Sequence, residues 1–205
     1  MKIAIMQPYY YPYIGYFELI NNVDKFVFLN NVQYIRRGWI NRNRIKWNET
    51  WKYLTVPIAK CSRDTLIQDV KISNEDWLKD HLDSLIYSYN NPNHKSFKYL
   101  ASINTQSLCD LLMLTIKHTA KLLGIKTEFL DSRDFPSNNK KQYLLIDICK
   151  HLNANTYINA AGGVDIYDKI DFENEGINLE FMPSTKHDNK LSILDLMLSN
   201  SFNSI

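Results

Sequence analysis

Short apolar runs alternate with amphipathic segments along most of this chain. Residues 2–6 and 25–29 are apolar runs of strand length, and between them Phe17, Leu19 and Ile20 recur at helical spacing. A strand, a helix and a second strand within about thirty residues predict a βαβ unit, which is the beginning of a parallel sheet.

The same alternation continues in the second half of the chain, while residues 31–72 break it. The pattern predicts strands at 51–58, 66–72, 125–130, 156–159 and 178–182, and helices at 73–89 (N-capped by Ser73), 105–123, 138–152 and 192–200. We therefore expect an α/β fold: a mainly parallel sheet flanked by helices, a Rossmann-like N-terminal βαβ unit, and an irregular or antiparallel excursion at 31–72. No repeat or linker interrupts the chain, so a single domain over residues 1–205 is predicted.

Composition narrows the class of partner. The 24 basic and 22 acidic residues leave a formal net charge of +2, which gives no reason to expect nucleic acid or an anionic membrane as a partner. The N-terminal apolar run is too short for a signal peptide, and no stretch approaches the roughly 20 apolar residues of a membrane span. Three cysteines without a CxxC pair are typical of free thiols. These features predict a cytoplasmic protein.

The loop QPYYYPYI at residues 7–14 follows the first predicted strand and leads into a helix that opens near Gly15. In open α/β sheets this is a ligand-binding position, and the free amides of a helix N-terminus attract phosphate. Gln7, Tyr10 and Gly15 are therefore candidate binding residues. The position resembles the His-x-Gly-His box of nucleotidyltransferases and pantothenate synthetase, but residues 13–16 read YIGY and lack both histidines. ATP is accordingly less expected than another ligand.

A second candidate segment is basic and rich in amides. It places Arg36, Arg37, Arg42, Arg44 and Lys46 within eleven residues. Arginine forks suit phosphate or carboxylate groups, and the side-chain amides of Gln33, Asn41 and Asn43 suit sugar hydroxyls. Trp39 is a candidate for stacking on a base or a sugar. A solvated basic hairpin with a packed tryptophan is the alternative interpretation, and it remains open.

These segments also carry a resemblance to a known family. QPYYYPYIGY at 7–16, NVQYIRRGWINRN at 31–43, LTVPI at 54–58 and TYINAAGG at 156–163 resemble the WbqC-like proteins of bacterial surface-polysaccharide gene clusters. Trp77, His81 and Tyr89 on one predicted helix continue the resemblance, as does LSILD at 191–195. The chain departs from the family in one place, because Asn30 and Asn31 stand where an acidic pair is common.

The resemblance implies a role in O-antigen or lipopolysaccharide biosynthesis. Such proteins are encoded beside enzymes that make 4-amino-4,6-dideoxy sugars, so it implies an N-acyl or aminoacyl transferase acting on a nucleotide-linked amino sugar, with a dTDP-sugar favoured. Acyl-CoA, an acyl or aminoacyl donor protein, and an amino acid activated by ATP all remain open as donors. An ATP-dependent carboxylate–amine ligase is one alternative function. A non-catalytic protein that binds a glycan precursor or a partner is another.

Histidine is the residue type best suited to deprotonate a sugar ammonium near neutral pH. His81 follows Trp77 by four residues and therefore shares its helical stripe, which makes it the candidate catalytic base. A half-buried structural histidine is the alternative. The five histidines and three cysteines show neither HExxH nor CxxC spacing, so no metal site is predicted.

Overall fold

The structure is a computed structural model that describes residues 1–73, 76–91, 93–183 and 190–199. The chain forms two compact units. The first, called the sheet unit, comprises Met1–Gln7, Gly15–Asn31 and Ile125–Asp188. The second, called the ribbon unit, comprises Pro8–Ile14, Val32–Gly124 and Asn189–Ile205. Each unit is discontinuous in sequence, and the prediction of a single domain over 1–205 stays a prediction.

Strands and helices in the described residues are numbered in chain order. The strands are β1 Lys2–Met6, β2 Lys25–Phe28, β3 Arg42–Trp47, β4 Thr50–Thr55, β5 Glu128–Asp131, β6 Thr156–Ala160 and β7 Asn178–Met182. The helices are α1 Ile14–Asn21, α2 Trp77–Tyr89, α3 Lys95–Ser102, α4 Leu108–Leu122, α5 Gln142–His151, α6 Lys169–Asn174 and α7 Ile193–Leu198.

The sheet unit contains a five-stranded parallel sheet with the order β5-β2-β1-β6-β7. Its central strands are apolar runs, and Phe26, Val27 and Phe28 of β2 are fully buried, as expected for parallel strands covered on both faces. The strand order changes direction between β1 and β6, which makes this sheet a doubly wound one. The predicted α/β class, with a Rossmann-like start, is confirmed.

The ribbon unit contains the antiparallel hairpin β3–β4, which confirms the predicted excursion. Its strands alternate between two faces. Asn43 and Ile45 are buried on one face, while Arg42, Arg44 and Lys46 lie on the face opposite, next to Tyr53 and Trp51 of β4 in the strand register. The hairpin therefore presents cations and aromatic rings together on one side.

Helix α4 follows the sequence pattern most closely. Leu108, Leu112 and Ile116 are fully buried on one face. The hydroxyl of Ser107 caps the first turn by accepting the backbone N–H of Asp110 at 3.3 Å. Gly124 then adopts a φ of 76°, which suits glycine just after a helix. Local capping and periodicity agree here, which is why the prediction at 105–123 holds.

Several predicted elements differ in the structure. The strand predicted at 66–72 is a 3-10 turn at Ile67–Asp69 between isolated bridges. Ser73 does not cap a helix, because α2 begins at Trp77 after Asp76. Helices α3 and α6 were not predicted, since eight and six residues hold too few turns for a periodic signal. Among the described residues, no helix is both long and apolar enough to cross a bilayer.

Candidate functional site

The ribbon unit holds a pocket of about 310 Å³, within the usual size range of small-molecule sites. All of its lining residues belong to this unit. They are Tyr34, Arg36, Arg37, Asn41, Arg42, Thr55 and residues 58–61. The pocket therefore forms between the turn that precedes β3, the start of β3, and the segment that follows β4.

Arginine side chains shape the turn that forms one wall. Arg37 has a φ of 59°, an uncommon conformation for a residue with a side chain. The guanidinium of Arg42 folds back over this turn and donates to the carbonyl of Gly38 at 3.1 Å and to that of Arg37. Arg36 donates to the carbonyl of Cys61 on the opposite wall. These contacts hold the guanidinium groups of Arg42 and Arg36 at the pocket.

Positive charge at this pocket is not neutralised by acidic side chains of the described residues. Arg36, Arg37, Arg42 and Lys60 all line it, and none of the described ion pairs joins them to a carboxylate. Guanidinium groups held this way offer fixed N–H donors to phosphate or carboxylate oxygens. The pocket is thus suited to an anionic ligand.

Tyr34 adds a neutral hydroxyl to the same pocket. The pKa of Tyr34 is raised to about 12, chiefly by burial and in smaller part by the neighbouring Cys61, while Arg36 and Arg42 act in the opposite direction. The phenol consequently stays protonated at neutral pH. It can donate a hydrogen bond to a ligand oxygen, which complements the guanidinium donors.

His81 is 5% exposed and lies inside the ribbon unit. Its Nδ1 lies 3.1 Å from the Tyr10 hydroxyl and its Nε2 lies 3.1 Å from the Thr55 carbonyl oxygen. Because a carbonyl only accepts, Nε2 carries the proton and Nδ1 accepts from Tyr10. Burial lowers the pKa of His81 to about 4, with the Thr55 carbonyl raising it and Lys52 lowering it. The ring is therefore neutral and both nitrogens are engaged; its role as a base stays a prediction.

The solvent-facing side of the hairpin forms an aromatic–arginine face, comprising Trp39, Arg42, Arg44, Trp51 and Tyr53. The guanidinium carbon of Arg44 lies 4.9 Å from the ring centroid of Trp39 and 5.0 Å from that of Trp51. The guanidinium carbon of Arg42 lies 4.3 Å from the ring centroid of Tyr53. Trp39 and Trp51 remain 39% and 44% exposed, so both indoles have free surface.

The predicted binding residues are divided among several environments. Arg37, Asn41 and Arg42 line the pocket, and Trp39 belongs to the aromatic–arginine face. Four others bond to groups of the chain itself. Tyr10 contacts His81, Asn43 donates to the Tyr11 carbonyl at 2.7 Å, the exposed Gln33 donates to the Arg63 carbonyl at 2.8 Å, and the Gln7 carbonyl accepts from the Tyr16 hydroxyl at 2.9 Å. Gly15 is in α1, and for all nine predicted residues a role in binding stays a prediction.

Sequence reasoning missed part of the pocket. Tyr34, Thr55, Lys60 and Cys61 line it but were not among the predicted binding residues. Position 61 belongs to the polar segment CSRD, whereas Cys109 and Cys149 occur within apolar helical patterns and are fully buried. This contrast was the one available signal, and it indicates exposure without indicating which residues Cys61 faces.

The family assignment rests on nearly the whole chain. Residues 7–205 match the model of the WbqC-like protein family. The chain belongs to the WbqC-like family. A relative from Mycobacterium tuberculosis, uncharacterized protein Rv1507c, is 30% identical over 185 residues, which cover 87% of this chain and 80% of the relative. No solved structure matches the chain. The resemblance drawn from the sequence motifs is therefore confirmed.

Asn30 and Asn31 lie in the sheet unit, just after β2. The backbone N–H groups of Asn30 and Asn31 donate to the Ser132 hydroxyl at 2.8 and 3.3 Å. Burial raises the pKa of Asp131, but hydrogen bonds from Arg133 and from the Asn30 side chain outweigh it, and the net pKa is lowered. In this WbqC-like chain Asn30 thus supports an ionised carboxylate on the neighbouring strand. No group of three or more His, Cys, Asp or Glu residues in the described part of the chain is placed to hold a metal ion.

Proposed function

We propose that this WbqC-like protein is an N-acyl or aminoacyl transferase that modifies the amine of a nucleotide-linked 4-amino-4,6-dideoxy sugar, with a dTDP-sugar as the favoured substrate. The observation that supports it is the cationic pocket of the ribbon unit. Arg42, whose guanidinium is held by the Gly38 and Arg37 carbonyls, and Arg37 supply N–H donors there without an acidic partner among the described residues, which suits the diphosphate of such a substrate.

The proposed reaction forms an amide. The substrate ammonium first loses a proton to solvent. The free amine then attacks the carbonyl carbon of an acyl thioester, forming the C–N bond and breaking the C–S bond. The departing thiolate takes up the second proton of the nitrogen. Holding amine and thioester in contact supplies much of the acceleration for such a step, which does not require a covalent intermediate on the protein.

His81 serves the proposed site by positioning other groups. Its Nε2–H donates to the backbone carbonyl of Thr55, a residue that lines the pocket. Its Nδ1 accepts from the hydroxyl of the buried Tyr10. A neutral imidazole with both nitrogens engaged favours this supporting role over proton abstraction. Substrate deprotonation then depends on the sugar ammonium itself.

The test is a direct assay for product. The purified protein is incubated with a dTDP-4-amino-4,6-dideoxyhexose and, separately, acyl-CoA thioesters or acyl carrier protein thioesters. A parallel incubation with amino acids and ATP tests the ligase considered below. Mass spectrometry should show that the nucleotide sugar gains one acyl or aminoacyl group with one donor class. Arg42→Ala should abolish the gain, while Arg63→Ala should keep it, because Arg63 does not line the pocket. An unmodified nucleotide sugar with every donor class would contradict the proposal and favour a non-catalytic binding protein.

A second candidate is an ATP-dependent carboxylate–amine ligase. The doubly wound parallel sheet, with its direction change between β1 and β6, favours it because nucleotides bind at such positions in open α/β sheets. In that reaction the carboxylate attacks the α-phosphate of ATP and releases pyrophosphate, and the amine then displaces AMP. Release of AMP that depends on both the amino sugar and an amino acid would identify it.

A further inference from the structure

We propose that the aromatic–arginine face of the hairpin is the seat of the nucleobase, so that the protein recognises its substrate as a nucleotide and not only as a sugar diphosphate. This inference rests on the proposed function and specifies the same site. It assigns substrate recognition to Trp51 and Tyr53, which neither the sequence motifs nor the pocket identified, and gives Arg44 of the basic segment a place between base and phosphate.

The ring arrangement supports a stacking seat. The guanidinium carbon of Arg44 lies over both the Trp39 and the Trp51 rings, at 4.9 and 5.0 Å from their centroids, so one cation contacts both indoles. The Tyr53 ring meets the Trp51 ring edge to face, with 5.0 Å between the centroids. These contacts hold the aromatic rings in place before a ligand arrives, which lowers the entropic cost of stacking on them.

The aromatic–arginine face adjoins the pocket, and this sets the distance between a bound base and its phosphates. Arg42 lines the pocket and also lies over Tyr53, and its cross-strand partner Thr55 lines the pocket as well. Arg42 and Arg44 are two residues apart on one strand, which is about 7 Å in extended backbone. A base on the indoles can therefore be joined to phosphates on Arg42 and Arg37 through a single ribose.

The size and charge of the face favour a mononucleotide over a nucleic-acid strand. Proteins that bind single strands repeat aromatic platforms along a positively charged groove. Here the described face has one pair of tryptophans around one arginine, and the net charge of the chain is only +2. A single base seat beside one anion pocket matches a nucleoside diphosphate.

The experiment compares dTDP with inorganic pyrophosphate by calorimetric titration. Stacking on an aromatic side chain is worth about 1–3 kcal/mol per base, roughly 5- to 150-fold in affinity. Trp51→Leu should weaken dTDP binding by that factor and leave pyrophosphate binding unchanged. Trp51→Phe should restore most of the affinity. The matched control is Trp47→Leu, because Trp47 lies on the opposite face of the hairpin, against Tyr87 at 4.8 Å between centroids.

The possible results distinguish failure of the base seat from failure of the anion pocket. If dTDP binds no more tightly than pyrophosphate, or if Trp51→Leu and Trp47→Leu weaken dTDP equally, the base seat is wrong while the anion pocket stands. Absence of binding by both probes would overturn the anion pocket and the base seat together. Affinity that rises with length for oligodeoxythymidylate would overturn the mononucleotide assignment in favour of a strand-binding surface.

Discussion

Burial of His81 predicts a specific loss of stability in acid. The unfolded histidine has a pKa of about 6.5, and burial lowers it to about 4 in the folded protein. Between these values the unfolded chain binds a proton that the folded chain does not, so the free energy of unfolding falls as the pH falls from 6.5 to 4. At roughly 1.4 kcal/mol per pH unit, the full loss is about 3 kcal/mol, and no further loss from this group occurs below pH 4.

Urea unfolding between pH 4 and 8 measures this contribution. His81→Gln is expected to be less stable than the wild type at pH 7, because Tyr10 and Thr55 lose their partner. The difference between the two proteins should shrink by about 3 kcal/mol on going to pH 4, since glutamine does not titrate. His151→Gln, at an exposed position, is the matched control for the substitution itself. Equal slopes for wild type and His81→Gln would refute a buried neutral His81.

Three further predictions follow from local geometry. Gly163→Ala should lower the free energy of unfolding by about 1–3 kcal/mol in urea titration, because the new Cβ would lie 2.8 Å from the Asn159 Nδ2 atom. The control Gly162→Ala should be neutral or slightly stabilising, because its Cβ would have nothing within 4 Å. Arg37→Gly should raise the melting temperature by about 1–2 °C, because glycine adopts a positive φ without strain. The same variant should weaken pyrophosphate binding in calorimetry about tenfold, because the Arg37 guanidinium is lost from the pocket. Asn43→Ala should destabilise by about 1–3 kcal/mol in thermal melts, because a backbone carbonyl loses its 2.7 Å donor.

Elements with a strong local signal were predictable from the sequence. The apolar runs of β1 and β2 and the apolar stripe of α4 predict their own secondary structure, because the residues that form each sequence pattern are also the buried ones. The sequence predicts a strand at 66–72, whereas Ile67–Asp69 form a 3-10 turn. Ile67 is buried there by contacts with residues distant in sequence, which the local pattern does not reveal. Short runs of this kind take their conformation from tertiary packing.

The candidate site was likewise predictable in part from the sequence. Three of the predicted residues in the basic segment, Arg37, Asn41 and Arg42, line the cationic pocket together, and their role in binding stays a prediction. The distinction between Arg42 and Asn43 was not predictable in detail. It depends on which face of β3 packs inward, and Asn43 faces the interior and binds a backbone carbonyl. A strand register shifted by one residue would exchange the two roles.

The most direct test of the central proposal is a calorimetric titration of a dTDP-4-amino-4,6-dideoxyhexose into the wild type, Arg42→Lys and Arg63→Ala. Arg42→Lys keeps the charge but loses the guanidinium, which donates to the Gly38 and Arg37 carbonyls and has further N–H groups for a ligand. The predicted result is saturable binding by the wild type and Arg63→Ala, with about tenfold or weaker affinity in Arg42→Lys, as expected when a hydrogen bond to a charged group is lost. No binding, or equal affinity in all three proteins, would contradict the assignment of the cationic pocket to the nucleotide sugar.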